Sequence, residues 1–565
     1  MIHARFLAAA AALGLIAGCG GEPASESGSA PAGEAAPAAL SAPAIAAADL
    51  ARHIRTLASD EFEGRAPATP GGEKTRAYIA GELERLGFEP VGDSYFQPVP
   101  LVESTLDPAQ SWLRVQTPEG EKELAYRKDA VFWTKRVAES VDLDASEIVF
   151  VGYGVVAPEY GWNDYEGLDV AGKTVVMLVN DPGFATEDPA LFNGRAMTYY
   201  GRWTYKYEEA ARQGAAAALV IHEDDAAGYG WGVVEGSWSG PQLDLARADD
   251  GASRVAVEGW LSNAAARELF AAAGLDFDAM KEAAKTRGFK ARPLTGLTAS
   301  AKLANAIRRS ESANVVGVLP GAEAPDEYVL YMGHWDHIGV NPDTEGEDKI
   351  YNGAVDNATG IAAILEIGEK FATNPERPRR SILLAAVTAE ESGLLGSAYL
   401  AENPPVPLEN IVGGINIDAV LPLPPTRDII VIGHGASELE DILAERAQAR
   451  DMYIRPDAEP EKGYFYRSDH ISLAKKGVPM LYADAGIDLV EGGEEAGLAL
   501  GAQYTAERYH KPADEFDESW TFDGMIRTVE VLYETGAALA YSDRWPNWYE
   551  GNEFRALRDA QRADE

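Results

Sequence analysis

Cysteine is almost absent from this chain of 565 residues: Cys19 stands alone, which excludes an intrachain disulfide framework, Cys-based zinc modules and iron–sulfur clusters. Basic residues are few beside acidic ones, 49 Lys plus Arg against 90 Asp plus Glu, for a formal net charge of −41. A surface of that sign repels polyanions, so nucleic acid and anionic lipid headgroups are excluded as natural partners. No apolar run after the N-terminal segment reaches the roughly 18 residues that a membrane-spanning helix needs. The Gly-x-Ser-x-Gly elbow of serine hydrolases is missing as well. What remains is ordinary globular composition, 46% hydrophobic and 9% aromatic, with a length that suggests three to four domains of about 150 residues each.

The N-terminus carries a positive charge at Arg5 followed by an apolar run from Phe6 to Ala17, the pattern of a secretory signal. It ends in Leu15-Ile16-Ala17-Gly18-Cys19. This resembles the lipobox of bacterial lipoproteins, which implies lipid attachment at Cys19 after removal of residues 1–18. The following stretch to residue 48 is dominated by Ala, Pro, Ser and Gly and is expected to be a disordered tether (19–48). The expectation is an exported protein held on a bacterial membrane by its lipid, facing the periplasm or exterior.

From Asp49 the pattern becomes helical, with Leu50, Ile54 and Leu57 on one face and Ile79, Leu83 and Leu86 repeating the spacing before Gly87 stops the helix. Between 140 and 300 short β runs (147–156, 173–179) and Gly-rich turns predict a separate β-rich region. After Asn305, apolar runs at 315–319, 328–332, 382–387, 411–417, 429–432 and 479–482 alternate with amphipathic segments at 358–371, 437–450 and 522–541. That alternation predicts an α/β fold, a mainly parallel mixed sheet with helices on both faces. The expected division is 49–139 and 301–548 as two parts of one catalytic domain, 140–300 inserted between them, and 549–565 as a C-terminal tail.

Ligands of such sheets lie at the carboxyl ends of the strands. Three apolar runs lead directly into polar residues: Gly333-His334-Trp335-Asp336-His337, Thr388-Ala389-Glu390-Glu391 and Asp418. Two loops add Asn352-Gly353-Ala354-Val355-Asp356-Asn357 and Tyr509-His510-Lys511-Pro512. Imidazoles and carboxylates without thiols are ligands for zinc, or for cobalt or manganese according to availability. Five such ligands exceed what one catalytic zinc takes, since three suffice with a position left open. Two metals fit the count: His334 and Asp418 on one, Glu391 and His510 on the other, Asp356 between them. Neighbours in an extended segment point opposite ways, so Glu391 is read as ligand and Glu390 as general base. Asp336 is placed to accept the second N–H of His334. His337 and His434 are read as structural, and Arg467-Ser468-Asp469-His470 as a segment shaping the site.

Taken together, these residues resemble the co-catalytic zinc exopeptidases that include bacterial leucyl aminopeptidases and glutamate carboxypeptidases. The resemblance covers roughly 50–135 and 300–545 and runs through Gly333-His334-Trp335-Asp336, the 352–357 segment, Ala389-Glu390-Glu391-Ser392-Gly393, Asn416-Ile417-Asp418 and Tyr509-His510-Lys511-Pro512-Ala513-Asp514. It implies the aminopeptidase fold, two Zn2+ per chain and peptide substrates cleaved at the N-terminal bond. It also implies that a tyrosine beside the last ligand, here Tyr509, donates to the developing oxyanion. The 140–300 stretch is similar to the protease-associated domain that such enzymes carry, through Gly167–Lys173 and Gly214–Val220. Within the enzyme class the alternatives are a carboxypeptidase acting on acidic C-terminal residues, whose arginines are not identifiable in sequence, and a one-metal glutaminyl cyclase. Outside it stands a receptor-like protein that has lost its metal site.

Overall fold

The computed structural model describes residues 43–563; the expected signal peptide, Cys19 and most of the tether lie outside the described residues. Its organising element is one very long strand. Helices α1 (Ala47–Leu57) and α2 (Pro70–Leu86) come first; α2 starts at Pro70, is capped by the Thr69 side chain on the Gly72 N–H, and stops at Gly87, whose φ of 79° is left-handed. The chain then runs through β1 (Phe96–Leu106), β2 (Trp112–Thr117), β3 (Ala130–Trp133), β4 (Ser140–Phe150), β5 (Thr174–Leu178), α3 (Trp203–Arg212), β6 (Ala217–Ile221) and β7 (Val257–Leu261) to β8 (Arg292–Leu319), 28 residues long.

The first half of β8 pairs antiparallel with β2 and β4, and the second half with β1 and then β10 (Arg380–Val387). One strand thus belongs to two sheets. In the first sheet β4, β5, β6 and β7 run parallel in that order, with β3 antiparallel at the edge. Every residue of β5 and β6 is buried, the continuous apolar reading of parallel strands covered on both faces. This sheet begins at residue 112, not 140, because β2 and β3 pair into it. All described residues fall within one compact unit, since β8 crosses from sheet to sheet without a break.

The second sheet continues with β9 (Ala324–His334), β11 (Ile411–Asn416) and β12 (Met480–Ala485), parallel in the order β10–β9–β11–β12. Helices cover both of its faces. Leu330 and Met332 face Leu400, Ile471 and Leu473, whereas the Tyr331 hydroxyl points oppositely and donates to the Leu532 and Tyr533 carbonyls of α5 (Asp523–Ala540) at 3.1 Å each. Beside α5 lies α4 (Gly360–Thr373), whose Ile361, Ile364 and Leu365 meet Leu384 of β10 and Ile79 and Leu83 of α2. The expected mixed, mainly parallel sheet is what the chain forms. Among the described residues no helix is long and apolar enough to cross a membrane.

Both ends differ from expectation. The tether stops short of 48: Ile45 is buried, its N–H donates to Glu530 at 3.1 Å, and Lys370 donates to the Pro43 carbonyl. At the other end the residues expected as a tail form a helix, Arg555–Ala563, docked through buried Phe554 and through Arg558, which donates to the Ile411 carbonyl at 2.7 Å.

Candidate metal centre

The parallel strands β10, β9 and β11 end level with one another, His334 opposite Val387 and Met332 opposite Asn416. The residues that follow therefore converge on a single spot at the carboxyl edge. Two glycines make the approach feasible. A Cβ on Gly333 would stand 2.5 Å from the Ile417 carbonyl oxygen, and one on Gly353, at φ 57°, would strike the Asp356 carbonyl and the His337 ring.

His334 Nε2 lies 3.2 Å from Asp418 Oδ1 and 3.3 Å from Asp356 Oδ1. The other Asp356 oxygen, Oδ2, faces the opposite way and lies 3.1 Å from His510 Nε2, which is itself 3.2 Å from Glu391 Oε2. All five expected ligands are thus brought together, with Asp356 spanning two clusters. Donor atoms about 2.0–2.2 Å from a tetrahedral zinc stand about 3.3–3.6 Å apart, so the spacing and the donor chemistry fit metal ions. The ligating atoms of His334, Asp356 and Asp418, and separately those of His337, Asp356 and Glu391, lie within 4.8 Å of one another.

His337 is the member that the sequence reading passed over. It is fully buried, with Nδ1 2.6 Å from Glu391 Oε1 at an angle that is not a hydrogen bond. The signal was its position three residues after His334 in the same strand-end loop. His434 is 42% exposed, beside Glu440 and away from this cluster.

The surroundings hold the ligands in place. His334 Nδ1 contacts the Asp336 backbone carbonyl at 3.1 Å, not the Asp336 carboxylate, which is 3.9 Å away and accepts instead from the Glu390 N–H at 3.1 Å. The expected carboxylate–histidine bond is thereby corrected: the loop turns so that the main chain orients the imidazole and the carboxylate orients the Glu390 segment. Ser468 donates to Asp418 Oδ2 at 2.7 Å, and Asp514 accepts from the Val355 and Asp356 N–H groups. Asn357 ties three segments at once, its amide donating to the His334 and Ile417 carbonyls and its oxygen accepting from Gly360 and Ala419.

Arg65 was invisible in sequence, lying some 270 residues upstream of the loops that it braces. Fully buried, it donates to the carbonyls of Trp335, Leu57, Asn352 and Gly353. Burial lowers its pKa to about 10, although Asp514 and Asp356 pull the other way.

The electrostatics are those of a site waiting for positive charge. Burial, then the charges of Glu391, Asp418 and Asp469, hold the Glu390 carboxyl well above the usual carboxylate range, against the pull of His334. Asp336 is raised to about 7 by burial. Tyr509 stacks flat on the His510 imidazole, centroids 3.9 Å apart, and its phenol is kept protonated by burial and by the Asp356 and Glu391 charges. Both rings are on the solvent side, Tyr509 being 43% exposed and His510 39%.

Residues 314–533 match the model of peptidase family M28, and His334, Asp356, Glu390, Glu391, Asp418, Tyr509 and His510 all fall inside the matched segment. Two curated relatives show how local the sequence likeness is. A probable zinc metalloprotease of Pyrenophora teres f. teres (strain 0-1) is 40% identical over 107 residues, 19% of this chain and 22% of the relative. Aminopeptidase NAALADL1 of Mus musculus is 38% identical over 119 residues, 20% of this chain and 14% of the relative. The chain thus matches about a fifth or less of the length of these relatives. Among solved structures, an aminopeptidase from Aneurinibacillus sp. strain AM-1 superposes with a TM-score of 0.47 at 17% identity, covering 88% of this chain and 94% of that one.

Proposed function

We propose that this protein is an exported dizinc aminopeptidase, hydrolysing the N-terminal peptide bond of peptides. The observation that carries the reading is Asp356, whose two oxygens face different histidines at 3.3 and 3.1 Å. A carboxylate in that position neutralises two cations at once. His334 and Asp418 complete one place, and Glu391 and His510 the other, with His337 behind Glu391. Ions bound there would supply Lewis acidity and a water of lowered pKa.

The chain's own groups do the rest. Glu390, next in the chain to Glu391 and half-buried, takes a proton from water and returns it to the leaving amine. Tyr509 keeps its proton at neutral pH and donates to the oxyanion. Export and lipid attachment at Cys19 complete the proposal, supported by the signal-like N-terminus and its Leu15-Ile16-Ala17-Gly18-Cys19 end.

The test is metal analysis of purified protein together with turnover of free and N-acetylated dipeptides, with and without chelator. Two zinc ions per chain and chelator-sensitive cleavage of free peptides are expected. Cleavage of the acetylated peptides in preference to the free ones would establish the carboxypeptidase alternative. A Cys19→Ala variant should leave the membrane fraction; its retention there would overturn the anchor.

A further inference from the structure

Two histidines meet the two oxygens of Glu391 and are held very differently. Nδ1 of His337 lies 2.6 Å from Oε1, and Nε2 of His510 lies 3.2 Å from Oε2. His337 is fully buried, and its ring lies so close to Gly353 that a Cβ there would stand 2.6 Å from it. Neither of its ring nitrogens has a hydrogen-bond partner. His510 is 39% exposed, already pairs with Asp356 Oδ2 at 3.1 Å, and sits at a left-handed φ of 54°. The helix that leads to it, Gly493–Glu507, buries Gly497 alone, and the Tyr509 ring stacked on it is exposed as well. One imidazole is clamped and unsatisfied; the other is loosely held and has a partner.

The donors also fall into two matching groups. The ligating atoms of His334, Asp356 and Asp418 lie within 4.8 Å of one another, and so do those of His337, Asp356 and Glu391. Each group is one histidine, one private carboxylate and the shared Asp356. Both histidines come from the end of β9 and the loop that follows, three positions apart. A catalytic zinc takes three protein donors and keeps a position open, so each group is complete without His510. Stranding two buried ring nitrogens beside a carboxylate is costly unless a cation joins them.

We propose that His337, Asp356 and Glu391 retain the second ion, and that His510 is a fourth, exchangeable donor on its solvent side. This rests on the two-ion reading above and changes which residues keep the ion in place. His510 can leave while three donors stay, so a group of the substrate can take its position without loss of the metal.

The experiment reads zinc retention, without turnover. Wild-type protein, His510→Ala and His337→Ala are titrated with zinc against a chelating dye, and bound metal is measured by elemental analysis. His510→Ala should keep two ions, the weaker one bound about 10-fold less tightly or better. His337→Ala should lose the second ion, weakened beyond the about 10- to 100-fold that follows removal of a residue that only orients a ligand. Because His337→Ala opens a buried cavity, His337→Cys in a Cys19→Ala background, which has no other thiol, gives a second measurement. Loaded with cobalt, it should show thiolate-to-cobalt charge-transfer absorption, which a residue that merely packs the loop would not produce. Unchanged zinc affinity in His337→Ala, loss of the second ion in His510→Ala, or two cobalt ions in His337→Cys without that absorption would each overturn the assignment. A wild type that binds no more than one ion would overturn the two-ion reading itself, and the assignment with it.

Discussion

The two sheets that share β8 are built alike, with parallel strands buried on both faces and acidic residues near their carboxyl ends, yet they treat those residues in opposite ways. In the first sheet the buried carboxylates and Lys206 are satisfied internally. Asp181 accepts from the Gly183, Phe184 and Thr198 N–H groups and from the Thr198 hydroxyl; Asp164 accepts from Val155 and Trp162; and Lys206 donates to the Tyr153 and Asn180 carbonyls. In the second sheet, buried oxygens of Asp336, Glu391 and Asp469 lack a hydrogen-bond partner. Among the described residues no buried carboxylate oxygen between 107 and 305 is left so. Burying an unpaired carboxylate is expensive, so a cation held by the His334, Asp356 and Asp418 group or the His337, Asp356 and Glu391 group would offset that cost. Saturated polar groups make a scaffold; unsaturated ones make a site.

The contrast can be broken by substitution, and the largest effect is expected where groups are left open. Asp356→Ala should abolish metal retention, read by elemental analysis, and with it all activity. Glu390→Gln should keep its metal and lose about 10²- to 10⁴-fold in kcat; near wild-type turnover would remove Glu390 from the role of base. The matched change in the saturated sheet, Lys206→Met, strands two buried carbonyls and should cost about 1–3 kcal/mol of stability, read from denaturant unfolding, while metal content stays unchanged. A loss of metal in that variant would erase the distinction between the sheets.

A smaller effect sharpens it. His53 of α1 and Glu366 of α4 are buried together, Nε2 to Oε1 3.3 Å. Burial lowers His53 to about 4 and raises Glu366 to about 8. The pair therefore folds as neutral imidazole and neutral carboxyl. Between about pH 4.5 and 6.5 it binds one proton folded and one unfolded, so it gives no slope. As pH rises from about 6.5 to 8, only the folded state keeps the proton, and stability falls by about 2 kcal/mol. Below about pH 4.5 the unfolded state binds the extra proton, and stability falls again. Glu366→Gln should flatten the alkaline limb in denaturant titrations; an unchanged limb would show that the pair is ionised.

Much of this was legible along the chain. The apolar runs at 328–332, 382–387 and 411–417 became β9, β10 and β11, because continuous burial in a parallel sheet writes itself as continuous hydrophobicity. The convergence of the candidate ligands was legible for the same reason: residues that follow such runs are delivered to the sheet's carboxyl edge. His337 was within reach of that rule and was passed over. The boundary near 112 was not legible, since β2 and β3 join their sheet through pairings with strands more than 120 residues away.

Sequence by itself determined the kind of strands, the order of the ligands and the donor chemistry, all of which depend on local pattern. Only the tertiary structure decided that Asp356 faces two histidines, that the Asp336 main chain and not its carboxylate orients His334, and that Arg65 braces the Trp335 and Asn352–Gly353 loops. Each of those depends on the direction of a side chain across elements far apart in sequence, and direction in space is set by how the sheets and helices pack.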